Sequence, residues 1–445
     1  MSDTSNKQLP SGLNNFFWFG FFNALSFQII LSSPMLLYAK SLDASATVLG
    51  LLSGMMPLLV IFQIPAAKHL GRISYKRFLL LGWGTRVLFI FLIALVPLAG
   101  FLKDPTRLVL VLALLFAFNL TRGIASCAWL PWVAAVVPED SRGTYLVRDA
   151  LFVNTASLLT FWLSALMLGN KPANWQFAAL FGFSAVAGVV SLLFMRRIPE
   201  APMSAEVKQS SEPVPWGAIA GFKPFRRLLV LGVVFALATG GLGTFILSWL
   251  RSDPVNMAEN RVLLVISAQF LGGMSTLWLL GERLDRYGSR PVIALGILLG
   301  LGLVDCWVLL AGGVLQPTAA TIAALQFAMG FVGSIVGMGI TRLLMAVVPT
   351  MGKNHFFAMY SVATSLTAGL SPILWGILID GLAEVRMRWL GLEWNSYSLF
   401  FAASAMLMLV TLWLCSRLVE QKAERLEALM RDLFIEGPLR IWPRG

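Results

Sequence analysis

Long apolar runs recur along nearly the whole chain and leave little room for a water-soluble fold. Hydrophobic residues fill 58% of the 445 positions and charged residues only 13%, whereas about a quarter of an ordinary soluble domain is charged. A hydrocarbon core of about 30 Å needs roughly 20 helical residues, and runs of that length occur twelve times. Their limits are Asn14–Ala39, Ala46–Ala67, Phe78–Gly100, Leu108–Val137, Thr144–Leu168, Trp175–Met195, Arg227–Leu250, Val262–Leu280, Val292–Gly313, Thr318–Val348, Phe356–Leu382 and Tyr397–Leu418. The sequence therefore predicts an all-α polytopic membrane protein with twelve spans.

The distribution of positive charge predicts the orientation of these spans. The formal net charge is +12, and the loops after even-numbered spans hold about sixteen Lys and Arg residues against about eight after odd-numbered spans. Because positively charged loops stay in the cytoplasm, both termini are expected there, in a bacterial inner membrane. The charges then serve as orientation signals and not as a nucleic-acid surface.

One polar segment divides the chain. Residues 196–223 contain four prolines and charges of both signs, a composition typical of a linker. It separates an N-terminal half, residues 1–195, from a C-terminal half, residues 224–416, with six spans each. Residues 417–445 are predicted to be a cytoplasmic tail with an amphipathic helix on the membrane surface, and a solvated charged tail is the alternative.

Short motifs recur in the two halves. Ala135–Pro138 before span five is identical to Ala346–Pro349 before span eleven, and Leu70–Arg72 after span two corresponds to Leu284–Arg286 after span eight. The separations are 211 and 214 residues. Two parallel six-helix repeats are typical of alternating-access transporters, whose site lies near the bilayer midplane.

Two loops resemble those of a known family. Residues 281–290, Gly-Glu-Arg-Leu-Asp-Arg-Tyr-Gly-Ser-Arg, are similar to the loop motif Gly-x-x-x-Asp-Arg-x-Gly-Arg-Arg/Lys of the major facilitator superfamily. The loop Pro138–Gly143 resembles that family's connection between spans four and five. With the span count and the repeat, the resemblance covers nearly the whole chain. It implies a transporter whose two halves rock about a central site.

The resemblance also implies a cytoplasmic gate. Asp285, the aspartate of the motif, would face the start of span five, where arginines and free backbone N–H groups are positive partners. The copy between spans two and three has Gly71 at the aspartate position, so an asymmetric gate is expected. A surface ion pair is the alternative. The residues expected at the gate are Asp285, Arg286, Arg290, Arg142, Arg148, Asp149 and Arg342.

An arginine in span four is the main candidate for substrate binding. Ionisable groups at membrane depth cost roughly 3 kcal/mol on insertion scales, and Arg122 lies near the middle of its span. In the family's antiporter group an arginine in span four precedes small residues, a pattern that Arg122 matches in part, without the glutamine. Its guanidinium suits a carboxylate, a phosphate or a sugar hydroxyl. The alternative is a structural arginine bonded to helix backbone, Asn119 or Asn154.

Four further ionisable residues have other expected roles. Arg86 and Asp305 lie on spans three and nine, scaffold helices in this family, and are expected to pair inward with polar neighbours. Asp380, near the outer end of span eleven, is expected at the outer gate or rim. Proton coupling would have to use Asp305, Asp380 or Asp149, and uniport, exchange and sodium coupling are the alternatives.

Neutral side chains complete the predicted site. Amides, hydroxyls and aromatic faces suit a hydroxylated ligand such as a sugar or nucleoside, and interhelical hydrogen bonding is the alternative for each. The predicted substrate-binding residues are Arg122, Asn119, Asn23, Gln28, Asn154, Trp249, Gln269, Gln326 and Tyr360. Two expectations concern packing: the aromatic run Phe16–Phe22 faces lipid, and small residues let span ten approach its neighbours closely, namely Gly330, Gly333, Gly337 and Gly339.

The motif search favours transport over catalysis. The sequence contains no phosphate-binding loop, no Cys/His metal spacing and no nucleophile motif, so neither a cofactor nor a metal is expected. We predict secondary active or facilitative transport of a small polar or anionic solute, sugar-like or organic-acid-like. Its partners are that solute, membrane lipid and any co-transported ion, with no nucleic acid. The alternatives are an exporter of amphipathic compounds, which would not need Arg122, and a non-transporting scaffold or assembly factor.

Overall fold

The computed structural model describes residues 14–67, 73–137, 142–200, 216–280, 288–348 and 353–418, and nearly all of them are helical. In those ranges, eleven helical segments are long and apolar enough to cross a membrane. A further helix of 22 residues, Glu259–Leu280, is not among these eleven segments and coincides with predicted span eight. The predicted all-α fold with its membrane spans is therefore confirmed. The predicted amphipathic helix of the tail lies outside the described residues.

The helices follow the predicted spans closely. The first six spans are Asn14–Leu31 with Ser33–Ser41, Ala46–Leu59 with Gln63–Ala67, Tyr75–Leu95, Asp104–Ser126 with Trp129–Val136, Arg142–Leu168, and Asn174–Arg197. Short 3₁₀ turns, Val60–Phe62 and Val96–Leu98, lie in spans two and three. After a short helix, Trp216–Gly221, come Lys223–Thr239 with Leu242–Leu250, Glu259–Leu280, Ser289–Ala311, Ala319–Val347, Lys353–Gly381 and Ser396–Ser416.

Besides span two with its 3₁₀ turn, spans one, four and seven are interrupted. Span one breaks at Ser32, and Pro34 sits at the second position of the next helix, where its missing N–H costs little. Span four breaks after Ser126, and span seven breaks at Gly240–Gly241. Such breaks free backbone groups at membrane depth, which are tolerated where neighbouring protein surrounds them.

Contacts divide the chain into two units. The first holds spans one to six and the segment Met257–Leu263, and the second holds the rest of spans seven to twelve. In the first unit, span one packs against spans five and six, and span three packs against spans four and six. In the second, span nine packs against spans ten and twelve, and span seven packs against spans eleven and twelve.

The aromatic run of span one belongs to the core of the first unit. Phe16, Phe17 and Phe19 are buried, and the Phe19 ring stacks on Trp83 of span three with centroids 5.2 Å apart. The prediction that this run faces lipid is wrong for these three residues. They lie on the side of span one that meets spans three, four and five, whereas Trp18 between them is exposed.

A two-stranded hairpin joins spans eleven and twelve. Strands β1, Met387–Trp389, and β2, Leu392–Trp394, pair antiparallel around Leu390 and Gly391, which both have positive φ angles of 53° and 77°. Two such residues are the requirement of a tight hairpin turn. Asn395 then accepts bonds from the backbone N–H groups of Tyr397 and Ser398, which fixes the start of span twelve.

The two units repeat the same close helix contacts. A Cβ on Gly123 of span four would overlap the carbonyl oxygen of Leu59 in span two, and one on Gly330 of span ten would overlap that of Gln269 in span eight. Gly339 also lies tightly against Ile293. The prediction of close approach is thus confirmed at Gly330 and Gly339. It is wrong for Gly333 and Gly337, whose faces meet nothing within 4 Å.

Candidate functional site

A buried arginine links spans one, three and four. Arg86 lies at the middle of the helix Tyr75–Leu95 and is 2% exposed. Its Nη2 donates a 2.6 Å hydrogen bond to Oδ1 of Asn23 in span one. Its guanidinium carbon lies 5.1 Å from the ring centre of Trp83 and 5.7 Å from that of Phe118 in span four. Arg86 thus has an inward polar partner, and its Nε is buried without one.

A second arginine reaches the same region from span four. Arg122 follows Phe118 by four residues and Asn119 by three, so all three share one face of the helix Asp104–Ser126. The Nη1 atom of Arg122 is buried and has no hydrogen-bond partner. Asn119 donates Nδ2 to the Leu115 carbonyl at 2.9 Å, and its Oδ1 is buried without a partner.

The alternative for Arg122 is a structural role in which it bonds to helix backbone, Asn119 or Asn154. The structure shows no such bond at Nη1. Asn154 donates its amide to the Ala150 carbonyl one turn earlier on its own helix, at 2.8 Å. Neither Asn154 nor Asn119 pairs with Nη1 of Arg122. Among the described residues, no salt bridge joins Arg86 or Arg122 to a carboxylate.

The indole of Trp83 adds a polar atom that the sequence analysis missed. Trp83 precedes Arg86 by three residues, which places both on one face of span three. Its Nε1 is buried and has no hydrogen-bond partner. A tryptophan one turn from a buried arginine is the sequence signal that would have found it. We call Trp83, Arg86, Asn119 and Arg122, with the Asn23 partner, the arginine cluster.

The other predicted substrate residue of the first unit bridges two helices. Gln28 of span one donates Nε2 to Ser157 Oγ of span five at 2.9 Å. Ser157 in turn donates to the Val153 carbonyl of its own helix at 2.8 Å. This arrangement favours interhelical hydrogen bonding for Gln28.

The predicted substrate residues of the second unit are spread over four helices. Trp249 is 3% exposed and packs edge to face on Trp307, with centroids 5.9 Å apart. The Tyr360 ring lies tightly against Gly232. Gln326 is buried, and Gln269 is half-buried. No hydrogen bond joins these four predicted side chains to one another, so in the described structure they do not form a polar cluster like that of the first unit.

The structure describes only some of the residues predicted at the gate. Asp285 and Arg286 lie outside the described residues, as does the side chain of Arg142. Arg290 donates Nη2 to the Ser416 carbonyl at the end of span twelve, at 2.7 Å, a place where cations suit the exposed carbonyls. Arg148 is exposed and Arg342 is half-buried.

The three candidate coupling carboxylates differ in placement. Asp149 is half-buried, and its Oδ1 lies 3.0 Å from where a Cβ on Gly20 of span one would stand. Asp380 is exposed one residue before span eleven ends. Asp305 is exposed and lies six residues before the end of span nine. The prediction that Asp305 pairs inward is wrong, because the buried face of that helix follows Gly300, Val304, Trp307 and Ala311.

Comparison with known proteins gives one family. A model of the Major Facilitator Superfamily matches residues 16–258, more than half of the chain. The multi-drug resistance efflux pump PmrA homolog of Lactococcus lactis subsp. lactis is 23% identical over 268 residues. That match covers 58% of this chain and 62% of the relative, which is less than two thirds of the relative's length.

Solved structures agree in fold. A D-xylose–proton symporter has a TM-score of 0.69 at 13% identity, with 92% of this chain and 98% of that chain covered. The nucleoside transporter NupG has a TM-score of 0.63 at 12% identity, covering 92% and 99%. A POT family transporter in complex with 5-aminolevulinic acid has a TM-score of 0.68 at 14% identity, covering 92% and 97%. At these identities the likeness concerns the fold alone.

Proposed function

This chain belongs to the major facilitator superfamily of membrane transporters, and on that basis we propose that it moves a small polar or anionic solute by alternating access. We assign Arg122 as a residue that binds the solute. The observation that carries this assignment is its buried Nη1, which has no hydrogen-bond partner. A buried donor left unpaired costs free energy, and a solute oxygen would pair with it.

The chemistry of the cluster fits a polar solute. A guanidinium is planar, stays protonated and offers donors in a fixed fork, which matches carboxylate, phosphate or vicinal hydroxyl oxygens. The solved structures of similar fold include a nucleoside transporter, a xylose symporter and a transporter holding 5-aminolevulinic acid. These named ligands are all small and polar, so proteins of this fold accommodate the class of solute that we propose here.

Orientation, gating and energy source form the rest of the proposal. We propose that both termini are cytoplasmic in a bacterial inner membrane and that Asp285 of the loop motif belongs to a cytoplasmic gate. The solute gradient or a coupled ion supplies the energy. Of the three carboxylates considered for coupling, Asp149 has the most suitable surroundings, since it is half-buried against span one while Asp305 and Asp380 are exposed.

Export of amphipathic compounds is the second candidate. The observation that favours it is the 23% identity to a multi-drug efflux pump homolog. Such a substrate would be held by aromatic and aliphatic surface and would not depend on Arg122. The two proposals therefore differ in what an Arg122→Ala variant does.

A thermal-shift screen of the purified protein in detergent tests both proposals. The panel contains sugars, nucleosides, organic acids, phosphate esters and amphipathic cations, tested on wild type, Arg122→Ala and the control Arg77→Ala, an exposed arginine in span three. A ligand at 100 times its Kd stabilises the folded state by about 2.7 kcal/mol. We expect a polar or anionic compound to stabilise wild type and Arg77→Ala but not Arg122→Ala.

Other results would reject the assignment. Equal stabilisation of all three proteins by amphipathic cations would favour the exporter. If no compound shifts any of them, and reconstituted vesicles show no uptake or exchange, a scaffold with this fold is favoured.

A further inference from the structure

Four buried polar atoms on spans three and four have no hydrogen-bond partner. Three are donors, Trp83 Nε1, Arg86 Nε and Arg122 Nη1, and one is an acceptor, Asn119 Oδ1. Buried polar groups in folded proteins are nearly always paired, and each exception calls for an explanation. Eight side chains in the described structure contain such an atom, and four of these side chains lie on two adjacent helices. That concentration points to a ligand site.

The four atoms share one region of the first unit. Arg86 contacts the rings of Trp83 and Phe118, and Phe118 lies one turn from Arg122 and beside Asn119 on span four. Spans three and four pack along their length, with Gly82 tightly against Ala125. The cluster is therefore one site built by two helices, and Asn23 orients Arg86 within it.

The charge of this site calls for an anion. The site contains two guanidinium groups, which carry positive charge, and neither is paired with a carboxylate among the described residues. Like charges repel more strongly away from water, and the Asn23 carbonyl and the two rings offset this only in part. A bound oxyanion would neutralise the pair and accept from all three free donors.

The acceptor sets a second condition on the ligand. The Asn119 Nδ2 donates to the Leu115 carbonyl, which fixes the orientation of the amide and leaves Oδ1 as the free atom. An ionised carboxylate or phosphate only accepts, so it cannot pair with Oδ1. The ligand must therefore carry a donor beside its anionic group.

We propose that the solute of this transporter is an oxyanion with a neighbouring hydroxyl, whose anionic oxygens lie between Arg86, Arg122 and Trp83 and whose hydroxyl donates to Asn119. Hydroxy acids, sugar acids and phosphate esters of polyols have this chemistry. The inference rests on the proposed function and narrows its solute class. It also makes Arg86, expected to be structural from the sequence, a binding residue.

A matched ligand panel tests the two conditions separately. Glycerate and gluconate have both the charge and the hydroxyl, propanoate and hexanoate lack the hydroxyl, and glycerol and glucose lack the charge. Glycerol phosphate, with inorganic phosphate beside it, distinguishes a phosphate ester from a carboxylate. We expect a compound with both the anionic group and the hydroxyl, either a carboxylate or a phosphate ester, to bind at least about tenfold more tightly than its hydroxyl-free or uncharged counterpart. Calorimetry would measure these Kd values. Equal affinity for such a compound and its counterparts overturns the proposal.

Side-chain variants assign the contacts. Trp83→Phe keeps an aromatic ring but removes Nε1 with part of the indole, and it should weaken binding of the ligand that has both groups about tenfold. Asn119→Leu should weaken glycerate or gluconate but leave the hydroxyl-free acid unchanged. If Asn119→Leu weakens both acids equally, the hydroxyl contact is wrong.

An Asn119→Asp variant distinguishes a loss of binding from a loss of folding. It supplies the missing carboxylate three residues before Arg122, so the ligand-free protein should unfold at or above the wild-type temperature while its anion binding disappears. The control Asn174→Asp adds the same charge at the exposed start of span six and should bind as wild type does. Undiminished anion binding by Asn119→Asp contradicts the proposal.

Failure of this inference can be told apart from failure of the proposed function. If a neutral sugar binds wild type but not Arg122→Ala, then Arg122 binds the solute and only the assignment of the solute as an oxyanion is wrong. If every binding compound is retained in Arg122→Ala, both are wrong.

Discussion

Arg86 of span three donates a 2.6 Å hydrogen bond to the side-chain carbonyl of Asn23 in span one. The two residues are 63 positions apart in the chain, and the Arg86 side chain is almost completely buried. The bond therefore does two things at once: it holds span one against span three, and it fixes the direction of a buried positive charge. Removal of the asparagine should therefore abolish both effects.

Asn23→Ala leaves Nη2 of Arg86 without its acceptor. A buried donor that loses its partner costs about 1–3 kcal/mol, and a charged one costs more, so the unfolding temperature in detergent should fall. Thr85→Ala is the control, because the Thr85 hydroxyl bonds only to the Leu81 carbonyl of its own helix and the residue is exposed. An Asn23→Ala protein as stable as the Thr85→Ala protein would contradict the structural role of the bond.

Gln28 should stabilise helix packing and not bind solute. Its amide bonds to Ser157 across spans one and five, and such interhelical bonds contribute about 0.6 kcal/mol on average. Gln28→Leu and Ser157→Ala should lower the unfolding temperature by similar small amounts, and the double variant should be little worse than either. Solute affinity, measured by calorimetry, should stay within twofold of wild type. A tenfold loss for Gln28→Leu alone would make it a substrate ligand.

Asp305→Asn should leave transport and its pH dependence unchanged. The side chain is exposed, off the packed face of span nine, and pairs with no other described residue. Uptake by reconstituted vesicles across a range of external pH would show the same profile as wild type. Asp149→Asn is the comparison, since Asp149 is half-buried against Gly20. A profile altered by Asp305→Asn and not by Asp149→Asn would reverse the two assignments.

The spans could be predicted because length and apolar character decide them. A run of about 20 apolar residues has few folded alternatives to a membrane helix, and each predicted run contains a helix in the structure. The hairpin Met387–Trp394 is not predicted by this reasoning, since its eight residues contain no long apolar run. Its Leu390–Gly391 centre between alternating apolar residues was the available signal.

The site was predicted only in part, because a sequence does not show which face of a helix is buried. The depth of Arg122 in span four identifies it as a candidate, and Asn119 enters with the neutral side chains. Arg86 was placed on a scaffold helix and given a structural role, yet its Nε is as unpaired as Nη1 of Arg122. Asp305 is a second example, since it lies deep in span nine but off the packed face of that helix.

Gly330 of span ten should not tolerate a methyl group. A Cβ there would overlap the backbone of Gln269 in span eight, and backbone gives way less easily than a side-chain end. Overpacking of a tight contact costs about 1–3 kcal/mol, so Gly330→Ala should unfold at a lower temperature and transport more slowly. Gly123→Ala should do the same in the first unit, because that Cβ would meet the Leu59 carbonyl of span two.

Gly333→Ala is the matched control on the same helix. A Cβ at Gly333 meets nothing within 4 Å, and alanine is favoured over glycine inside a helix by up to about 1 kcal/mol. This variant should therefore be as stable as wild type or more so, with the same uptake rate. The difference between the two glycines isolates the helix contact from helix propensity, because both substitutions add the same methyl group to span ten. Equal unfolding temperatures for Gly330→Ala and Gly333→Ala would show that spans eight and ten separate at little cost.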